Sequence, residues 1–300
     1  MTSEQTTAET TASTRDERIA DVAVVGGGPA GCSAAVFTAR AGLETVLFEH
    51  ERSSLLKSAH LENYLGFPLG IQPSQFLDLA REHVREAGCR YRRETVVDVW
   101  LEGERGDSGE RAGEGESGPA GDRTGGTSGS ETGTGTEPRT EPSDVRPFVL
   151  ETDGGVGGET TEPSRYRAAR LFVASWAHTD FLEGLPVSRE PEEPGPVMVL
   201  PTDGDGRTDC EGLYAAGRIT GQHHQTIVNA GHGAHVALTL IRDERPEYYN
   251  DWVVPEGYYA RYDREVPEGV EEISIAERSR RTGRARDRMA AVFDDDSGPN

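Results

Sequence analysis

A glycine-rich turn at residues 26–31 (GGGPAG) constrains the fold of this chain more than any other segment. The run before it, Ile19 to Val25 (IADVAVV), is short, apolar and rich in valine, as buried parallel strands are. The small and apolar residues after it (CSAAVFTARAG) predict a helix that Gly42 ends, and Thr45 to Phe48 predicts a second strand. The sequence therefore predicts a right-handed βαβ unit of a parallel sheet.

Within this turn, Gly26, Gly28 and Gly31 have the spacing G-x-G-x-x-G between a strand and a helix. The first glycine allows a tight turn, the second leaves room for a pyrophosphate, and the third allows close packing of helix on sheet. Glu49 follows the second strand, where a carboxylate can accept hydrogen bonds from an adenosine ribose. The residues predicted to contact the ADP half of a dinucleotide are Gly26, Gly28, Pro29, Ala30, Gly31 and Glu49. This pattern by itself does not distinguish FAD from NAD.

Later segments predict further elements of the same α/β domain. Ser74 is the predicted N-cap of a helix over residues 75–87, and Cys89 to Leu101 is predicted as one long strand. A strand from Phe148 to Thr152 then predicts a small antiparallel meander. Further strands are predicted at 170–175, 197–200 and 213–216, and a helix at 226–242 with Ile227, Ala230, Ala234, Ala237, Leu238 and Ile241 facing inward.

Two segments lack the apolar side chains that a packed core needs. Residues 1–18 show no apolar periodicity, and residues 103–144, an acidic stretch rich in Gly, Ser and Thr, contain no Val, Leu, Ile, Met or aromatic residue. We predict that both are disordered. Residues 19–102 and 145–242 then form one dinucleotide-binding domain. Residues 243–300 are predicted as an extension with an arginine-rich helix and a disordered end, whose aromatic residues either pack on the domain or dock a partner.

The charge balance excludes some partners and indicates an environment. With 53 acidic and 31 basic residues, the formal charge of -22 disfavours nucleic acid and anionic membranes. Lys57 is the only lysine, and an acid-rich, lysine-poor chain is typical of a halophile, where salt screens the self-repulsion. No stretch is apolar and long enough to span a membrane and no signal sequence is recognisable, so we expect a soluble, cytoplasmic protein.

Three segments, in order, resemble the thioredoxin reductases, a family of flavoproteins with two dinucleotide-binding domains. Residues 22–49 (VAVVGGGPAGCSAAVFTARAGLETVLFE) are similar to the family's N-terminal FAD fingerprint, and residues 62–68 (ENYLGFP) resemble its flavin-flanking segment. Residues 212–238 (GLYAAGRITGQHHQTIVNAGHGAHVAL) are similar to its C-terminal motif and following helix. The chain resembles a halophilic archaeal type of this family. The resemblance implies a Rossmann-like FAD/NAD(P)-binding fold, a parallel sheet with helices plus a small antiparallel meander, and FAD as cofactor.

The resemblance also implies which further residues hold FAD and what the protein does. Asn63 would lie near the flavin, and the residues lining its ribityl chain and isoalloxazine would be Gly217, Arg218, His224, Gln225 and Thr226. The implied function is a FAD-dependent oxidoreductase that takes electrons from an external donor, which is NAD(P)H, a small-molecule substrate or a redox protein.

The sequence departs from the family at several positions. Arg218 replaces an aspartate that hydrogen-bonds the ribityl chain, and Trp176 replaces the glycine of an Ala-Thr-Gly segment. Only 20 residues separate Leu182 from Asp203, where the family inserts an NADPH domain and usually a Cys-x-x-Cys. The alternative function is a non-catalytic dinucleotide-binding or sensor module. The face that the missing domain would cover also suggests a homodimer.

Histidine and cysteine give weaker candidates. His232 and His235 share a helical face, but no carboxylate or cysteine completes a metal-binding spacing, so we predict no metal site. His224 is a candidate for proton transfer because its charge changes near neutral pH, and no other catalytic residue is assigned. Cys32, in the first turn of the predicted helix, is interpreted as a small packing residue rather than a reactive thiol.

Overall fold

The computed structural model describes residues 16–50, 53–104, 147–155, 163–176, 178–192, 195 and 197–294. Its strands are β1 (Asp16–Val25), β2 (Thr45–Phe48), β3 (Arg90–Arg92), β4 (Glu94–Leu101), β5 (Phe148–Gly155), β6 (Ser164–Val173), β7 (Glu190–Pro191), β8 (Met198–Val199), β9 (Leu213–Ala215), β10 (Trp252–Pro255) and β11 (Val270–Ile273). Its helices are α1 (Pro29–Arg40), α2 (Pro73–Glu86), α3 (Thr226–Glu244) and α4 (Ile275–Asp294). Most of the segments predicted to be disordered (1–15, 105–144 and 295–300) lie outside the described residues.

A parallel sheet forms the centre of the domain. β1 lies between β2 and β6 and pairs in parallel with both. β3 extends the sheet beyond β2, and β9 pairs in parallel with the C-terminal half of β6. The predicted βαβ unit is therefore β1, α1 and β2, and the predicted α/β class is confirmed.

An antiparallel meander continues the same sheet. β4 pairs with β5, and β5 pairs with the N-terminal half of β6, so that β6 belongs to both the parallel and the antiparallel part. This confirms the predicted meander. The predicted single strand over residues 89–101 is wrong, because Arg93 separates β3 and β4, which stand at opposite ends of the strand order. Since one residue connects the two ends, the sheet must curl until they meet.

Both faces of the parallel part are buried, which explains why β1 is so apolar. Val22 and Val24 pack against α1 and α3, whereas Ala23 and Val25 pack on the side of the meander. All four side chains are 6% exposed or less. The glycine-rich turn at the end of β1 is thus attached to one of the most buried strands of the molecule.

The structure corrects the predicted start of β1, the predicted N-cap of α2 and part of the predicted buried face of α3. β1 begins at Asp16, so residues 16–18 are not part of a disordered tail. α2 begins at Pro73 and its N-cap is Gln72 rather than Ser74, since the fixed φ of proline suits the first helical position. On α3, Ile227 is 37% exposed. The buried residues of α3 are Thr226, Asn229, Gly233, Val236, Ala237, Thr239, Leu240 and Ile241.

The C-terminal extension packs on the domain through its first part. Tyr248 packs with Ala41 and Ile241, and Arg40 binds both carboxylate oxygens of Asp251 at 2.5 and 2.6 Å. β10 and β11 then pair in parallel, and α4 has no buried residue among those whose side chains are described. Packing on the domain therefore explains the start of the extension, whereas α4 lies at the surface.

Candidate functional site

A cavity of about 980 Å³ opens at the carboxyl ends of β1, β2 and β6. Val25, Phe48 and Ala174 mark these strand ends on its wall. Open α/β sheets bind ligands at this edge, and the volume lies in the range of small-molecule and cofactor sites. The predicted contact residues on the wall are Gly26, Gly28, Pro29, Ala30, Glu49, Arg218, His224 and Thr226. The fold thus brings the N-terminal and C-terminal motifs together around one cavity.

The glycine-rich turn has the geometry that its spacing predicts. Gly26 has φ +116°, and a Cβ at this position would lie 2.5 Å from the carbonyl oxygen of Ala174. A Cβ on Gly31 would lie 1.8 Å from the carbonyl oxygen of Gly26. A Cβ on Gly28, in contrast, would meet nothing nearer than Ser53 Oγ at 3.8 Å. Packing therefore requires the first and third glycines, whereas the second borders open space in the cavity.

Two helix N-termini meet at the cavity. α1 begins at Pro29 and α3 at Thr226, and both residues lie on the wall. A Cβ on Gly233 would lie 2.1 Å from the carbonyl oxygen of Ala30, so the two helix backbones touch there. Gly217, with φ +82°, packs against Ala30 beside the wall. The first turns of two helices carry unpaired N–H groups and positive dipole ends, which favour an anion between them.

Glu49 is bonded within the protein. Its carboxylate, 4% exposed, accepts hydrogen bonds from Arg81 Nε at 2.9 Å, from Arg81 Nη2 at 2.6 Å and from the Tyr91 hydroxyl. The hydrogen bonds to Glu49 hold the pKa of Arg81 above its usual range, and burial, together with Glu49, raises the pKa of Tyr91. A ribose that reaches Glu49 would therefore share a carboxylate that Arg81 already orients.

Asn63 and Gln225, both predicted near the flavin, are exposed and lie outside the cavity wall. Asn63 Nδ2 donates a hydrogen bond to Gln225 Oε1 at 2.7 Å. This contact ties the segment 62–68 to the start of α3. We call this hydrogen-bonded pair, which lies beside the cavity, the Asn63–Gln225 bridge.

Arg218 lies on the wall and is held by a carboxylate. Its Nη1 donates to Glu192 Oε1 at 2.7 Å, its Nη2 donates to Glu192 Oε2, and Nη1 also approaches the carbonyl oxygen of Gln222 at 3.3 Å. The hydrogen bond from Arg218 lowers the pKa of Glu192. Arginine cannot accept a hydrogen bond, so this position presents donors only.

Trp176 forms a stack of side chains at the cavity. Its ring lies parallel to that of His224, with 5.3 Å between the centroids and 15° between the planes. The ammonium of Lys57 lies 5.1 Å from the centroid of the Trp176 ring, within the range of a cation–π interaction. Trp176 has φ +20°, which is unfavourable for a residue with a bulky side chain. The three side chains come from the 3-10 turn Ser54–Lys57, from the loop after β6 and from the residues just before α3.

Among the described residues, two buried polar atoms on the wall lack a hydrogen-bond partner. They are Trp176 Nε1, a donor, and Asn229 Oδ1, an acceptor. Leaving such atoms unpaired costs free energy, about 1–3 kcal/mol each, which a ligand with matching groups would remove. Asn229 Nδ2 is bonded to the carbonyl oxygens of His223 and Gln225. Asn229 is not among the residues predicted from the sequence, although a polar residue on an apolar helix face could have indicated it.

The remaining histidine and cysteine candidates have structural contacts. His232 Nδ1 accepts a hydrogen bond from the Gly217 N–H at 3.0 Å, and burial, with a smaller effect of His235, lowers the pKa of His232. In the part of the chain that the structure describes, no group of three or more potential metal ligands occurs. Cys32 Sγ lies 3.3 Å from the Gly27 carbonyl oxygen, and burial raises the pKa of its thiol to about 12, in agreement with its interpretation as a packing residue.

Several wall residues were not found from the sequence. The rings of His50 and His178 meet edge to face with centroids 6.1 Å apart. Glu94 accepts hydrogen bonds from the Tyr166 hydroxyl at 2.9 Å and from Thr152 Oγ1 at 2.8 Å. For these residues, the only signal in the sequence was that His50 directly follows Glu49.

Within the described residues, no helix has both the length and the apolar character needed to cross a bilayer.

Comparisons with known proteins agree with this geometry. The family model of FAD dependent oxidoreductases matches residues 21–54, the segment with the glycine-rich turn. Thioredoxin reductase of Mycolicibacterium smegmatis is 37% identical over 89 residues, which is 29% of this chain and 29% of that protein. Thioredoxin reductase of Aquifex aeolicus is 36% identical over 83 residues, 27% of this chain and 26% of that protein. The matched segments thus span less than a third of these relatives.

Solved structures extend the likeness to the fold. An oxidoreductase from Agrobacterium tumefaciens matches with a TM-score of 0.52 at 13% identity, over 75% of this chain and 98% of that chain. A thioredoxin reductase from Gloeobacter violaceus matches with a TM-score of 0.50 at 16% identity, over 76% and 96%. The chain therefore has the Rossmann-like α/β fold of the thioredoxin reductases, and its N-terminal segment is similar in sequence to FAD-dependent oxidoreductases.

Proposed function

We propose that this protein is a FAD-dependent oxidoreductase that holds FAD in the 980 Å³ cavity and receives electrons from an external donor. The observation that carries the proposal is the pair of helix N-termini around an open glycine, Gly28, at the carboxyl edge of the parallel sheet. The match of residues 21–54 to the FAD dependent oxidoreductase family supports FAD over NAD.

The chain's own residues fit the parts of FAD. The pyrophosphate would lie at Gly28, Pro29 and Ala30, with Thr226 on the other side, because both helix N-termini offer N–H groups there. The adenosine ribose would meet Glu49. The unpaired Trp176 Nε1 and Asn229 Oδ1 would offer a donor and an acceptor to the rest of the cofactor. Arg218, Gly217 and the Asn63–Gln225 bridge would flank the flavin end.

Bound FAD would supply two-electron chemistry, and the protein would position the flavin and control access of water and protons to it. His224 is the proposed proton-transfer residue: its ring stacks on Trp176 at the wall, and histidine changes its charge near neutral pH. The opposite, buried side of the turn excludes solvent, because Gly26 and Gly31 pack directly on backbone atoms.

The proposal also covers the bounds of the domain, the electron donor, the environment of the protein and its oligomeric state. Residues 19–102 and 145–242 would form one FAD-binding domain, and the donor would be diffusing NAD(P)H, a small-molecule substrate or a redox protein. Between Leu182 and Asp203 the only helices or strands among the described residues are the two-residue strands β7 and β8. The acid excess and the single lysine support a halophilic, cytoplasmic protein, and a homodimer would cover the face left open there.

The absorption spectrum of the protein purified in multimolar KCl, before and after addition of FAD, tests the proposal. We expect flavin bands that stay with the protein on gel filtration and bleach on anaerobic addition of NADH or NADPH. Bands that persist would instead indicate another donor. A protein that stays colourless in excess FAD would contradict the proposal.

Two valine substitutions make this test specific to the cavity. Gly28→Val would fill the space proposed for the pyrophosphate and should abolish FAD binding. Gly204→Val is the matched control, because this exposed glycine also has open space around its Cβ position but lies outside the wall. Equal FAD binding by both variants would show that FAD, if bound, lies elsewhere.

A non-catalytic dinucleotide-binding or sensor module is the second candidate. The Arg218–Glu192 pair favours it, since it puts donors where the resemblance expects an acceptor for the ribityl chain. Arg218→Asp distinguishes the two functions. Tighter FAD binding by the variant would indicate a degenerate redox site, and weaker binding would indicate that Arg218 binds the cofactor's phosphates.

A further inference from the structure

Lys57, the single lysine of a chain with 31 basic residues, lies on the wall of the cavity. It ends the short 3-10 turn Ser54–Lys57 in the loop that follows β2. The N-cap of this turn, Ser53, is also the nearest side chain to the open space at Gly28, 3.8 Å from a Cβ placed there. The loop that carries Lys57 therefore runs beside the glycine-rich turn and the N-terminus of α1.

The ammonium of Lys57 is held by a ring rather than by a carboxylate. It lies 5.1 Å from the Trp176 ring centroid, and among the described residues no carboxylate lies within ion-pairing distance of it. The other cation on the wall, Arg218, is paired with Glu192. A cation–π interaction orients an ammonium and leaves its charge unneutralised. Among the described residues Lys57 thus has no ion-pair partner, so that a ligand can serve as its counter-ion.

The acidic residues of the wall limit where an anion can bind. The Glu49 carboxylate is paired with Arg81. Glu94, in contrast, accepts hydrogen bonds from the neutral hydroxyls of Tyr166 and Thr152, and Asp180 lies exposed at the start of a 3-10 turn. The latter two would repel an anion. An anion is therefore favoured at the part of the wall where the Lys57 ammonium lies, beside the stacked rings of Trp176 and His224, just before α3 begins at Thr226.

We propose that Lys57 is a phosphate-binding residue of this cavity and that the Trp176 ring positions it. A lysine ammonium on a flexible stem binds phosphate oxygens as a point charge, without the fixed geometry of arginine. The phosphate belongs either to the bound dinucleotide or to a diffusing nicotinamide dinucleotide. The proposal rests on the proposed function for the identity of these ligands, but not for the presence of the phosphate site.

The single lysine makes the proposal directly measurable. Protein labelled with 13C at the lysine ε-carbon has one such signal, shifted by the ring current of Trp176. Titrations with inorganic pyrophosphate, with FAD, and with NADPH after FAD saturation would follow this signal. A saturable shift with FAD assigns Lys57 to the cofactor phosphate, and a shift that appears only with NADPH assigns it to the donor; both outcomes support the proposal. A signal that none of the three ligands moves would overturn it.

Three variants separate phosphate binding from a general charge effect. Lys57→Gln should weaken binding of the ligand that shifts the signal by about three- to tenfold, less at high salt, whereas Lys57→Arg should keep most of the affinity. Arg261→Gln, at an exposed position in the extension, is the control that removes one positive charge outside the cavity. Equal weakening in Lys57→Gln and Arg261→Gln would overturn the proposal.

The two proposals fail in different ways. If the protein binds no FAD, the proposed function fails, and the pyrophosphate titration still decides the role of Lys57. If FAD binds with unchanged affinity in Lys57→Gln and NADPH does not move the signal, the phosphate site fails and the proposed function stands.

Discussion

The two ends of the cavity differ in how they are built. The end at the glycine-rich turn consists of backbone: Gly26 and Gly31 have no room for a Cβ, and two helix N-termini meet there. The other end consists of side chains, with Trp176 stacked on His224 and Arg218 paired with Glu192. Backbone geometry allows few substitutions, whereas a wall of side chains can change residue by residue. This explains why the first end has the glycine spacing of a dinucleotide-binding turn, while the second departs from the segments that the sequence otherwise resembles.

The largest effect that tests this comparison should come from Gly31→Ala. The added Cβ would lie 1.8 Å from the Gly26 carbonyl oxygen, so α1 must move away from the sheet. We expect a loss of about 3 kcal/mol or more in the free energy of unfolding, measured by denaturant titration. Gly28→Ala is the control and should unfold like the unaltered protein. Similar stability of both variants would show that the turn is less tightly packed than described.

The next largest effect should come from Glu49→Gln. The carboxylate is 4% exposed and holds Arg81 and Tyr91, so its loss leaves the Arg81 guanidinium with only the exposed Asp78 as its anion. We expect a loss of about 2–3 kcal/mol in the free energy of unfolding. Glu151→Gln is the matched control: Glu151 also pairs with an arginine, Arg165, but that pair is largely exposed, and its loss should cost about 0.5 kcal/mol or less. Equal losses would contradict the structural role of Glu49.

A smaller, pH-dependent effect should come from His232, whose Nδ1 accepts a hydrogen bond from the Gly217 N–H. Burial lowers the pKa of His232, so the folded protein holds the neutral ring and the unfolded chain binds the proton first. The contribution to stability is therefore full above about pH 6.5 and is lost as pH falls through the lowered pKa.

The variant His232→Asn isolates this contribution from the titration of the carboxylates. We expect the difference in unfolding free energy between the unaltered protein and His232→Asn to shrink between pH 7.5 and pH 5. A difference that stays constant over this range would show that His232 does not titrate with folding.

The smallest effect on stability should come from Trp176→Gly. The variant loses the stack with His224 and the contact with Lys57, but it removes a bulky residue from a backbone with φ +20°. We expect the free energy of unfolding to change by about 1 kcal/mol or less. A loss as large as that of Gly31→Ala would mean that both ends of the cavity are equally rigid.

The elements that were predicted correctly from the sequence are those whose backbone geometry depends on residues within one short segment. The strand, the glycine-rich turn and α1 were predicted because glycine spacing and an apolar run fix local geometry. The meander was predicted from a strand that resumes after a gap. The prediction of a single strand over residues 89–101 was wrong, because no local pattern shows that Arg93 connects β3 and β4, which stand at opposite ends of the strand order.

For the candidate site, local sequence was enough to predict the residues at the glycine-rich end of the cavity, because they lie in one turn and the helix that follows it. The other contacts depend on the tertiary fold. It placed Asn63 and Gln225 beside the cavity, gave Glu49 to Arg81, and left Asn229 Oδ1 unpaired at the wall. Contacts of this kind join residues far apart in the chain, so they depend on how the sheet curls and how the helices cross, which local sequence patterns do not encode.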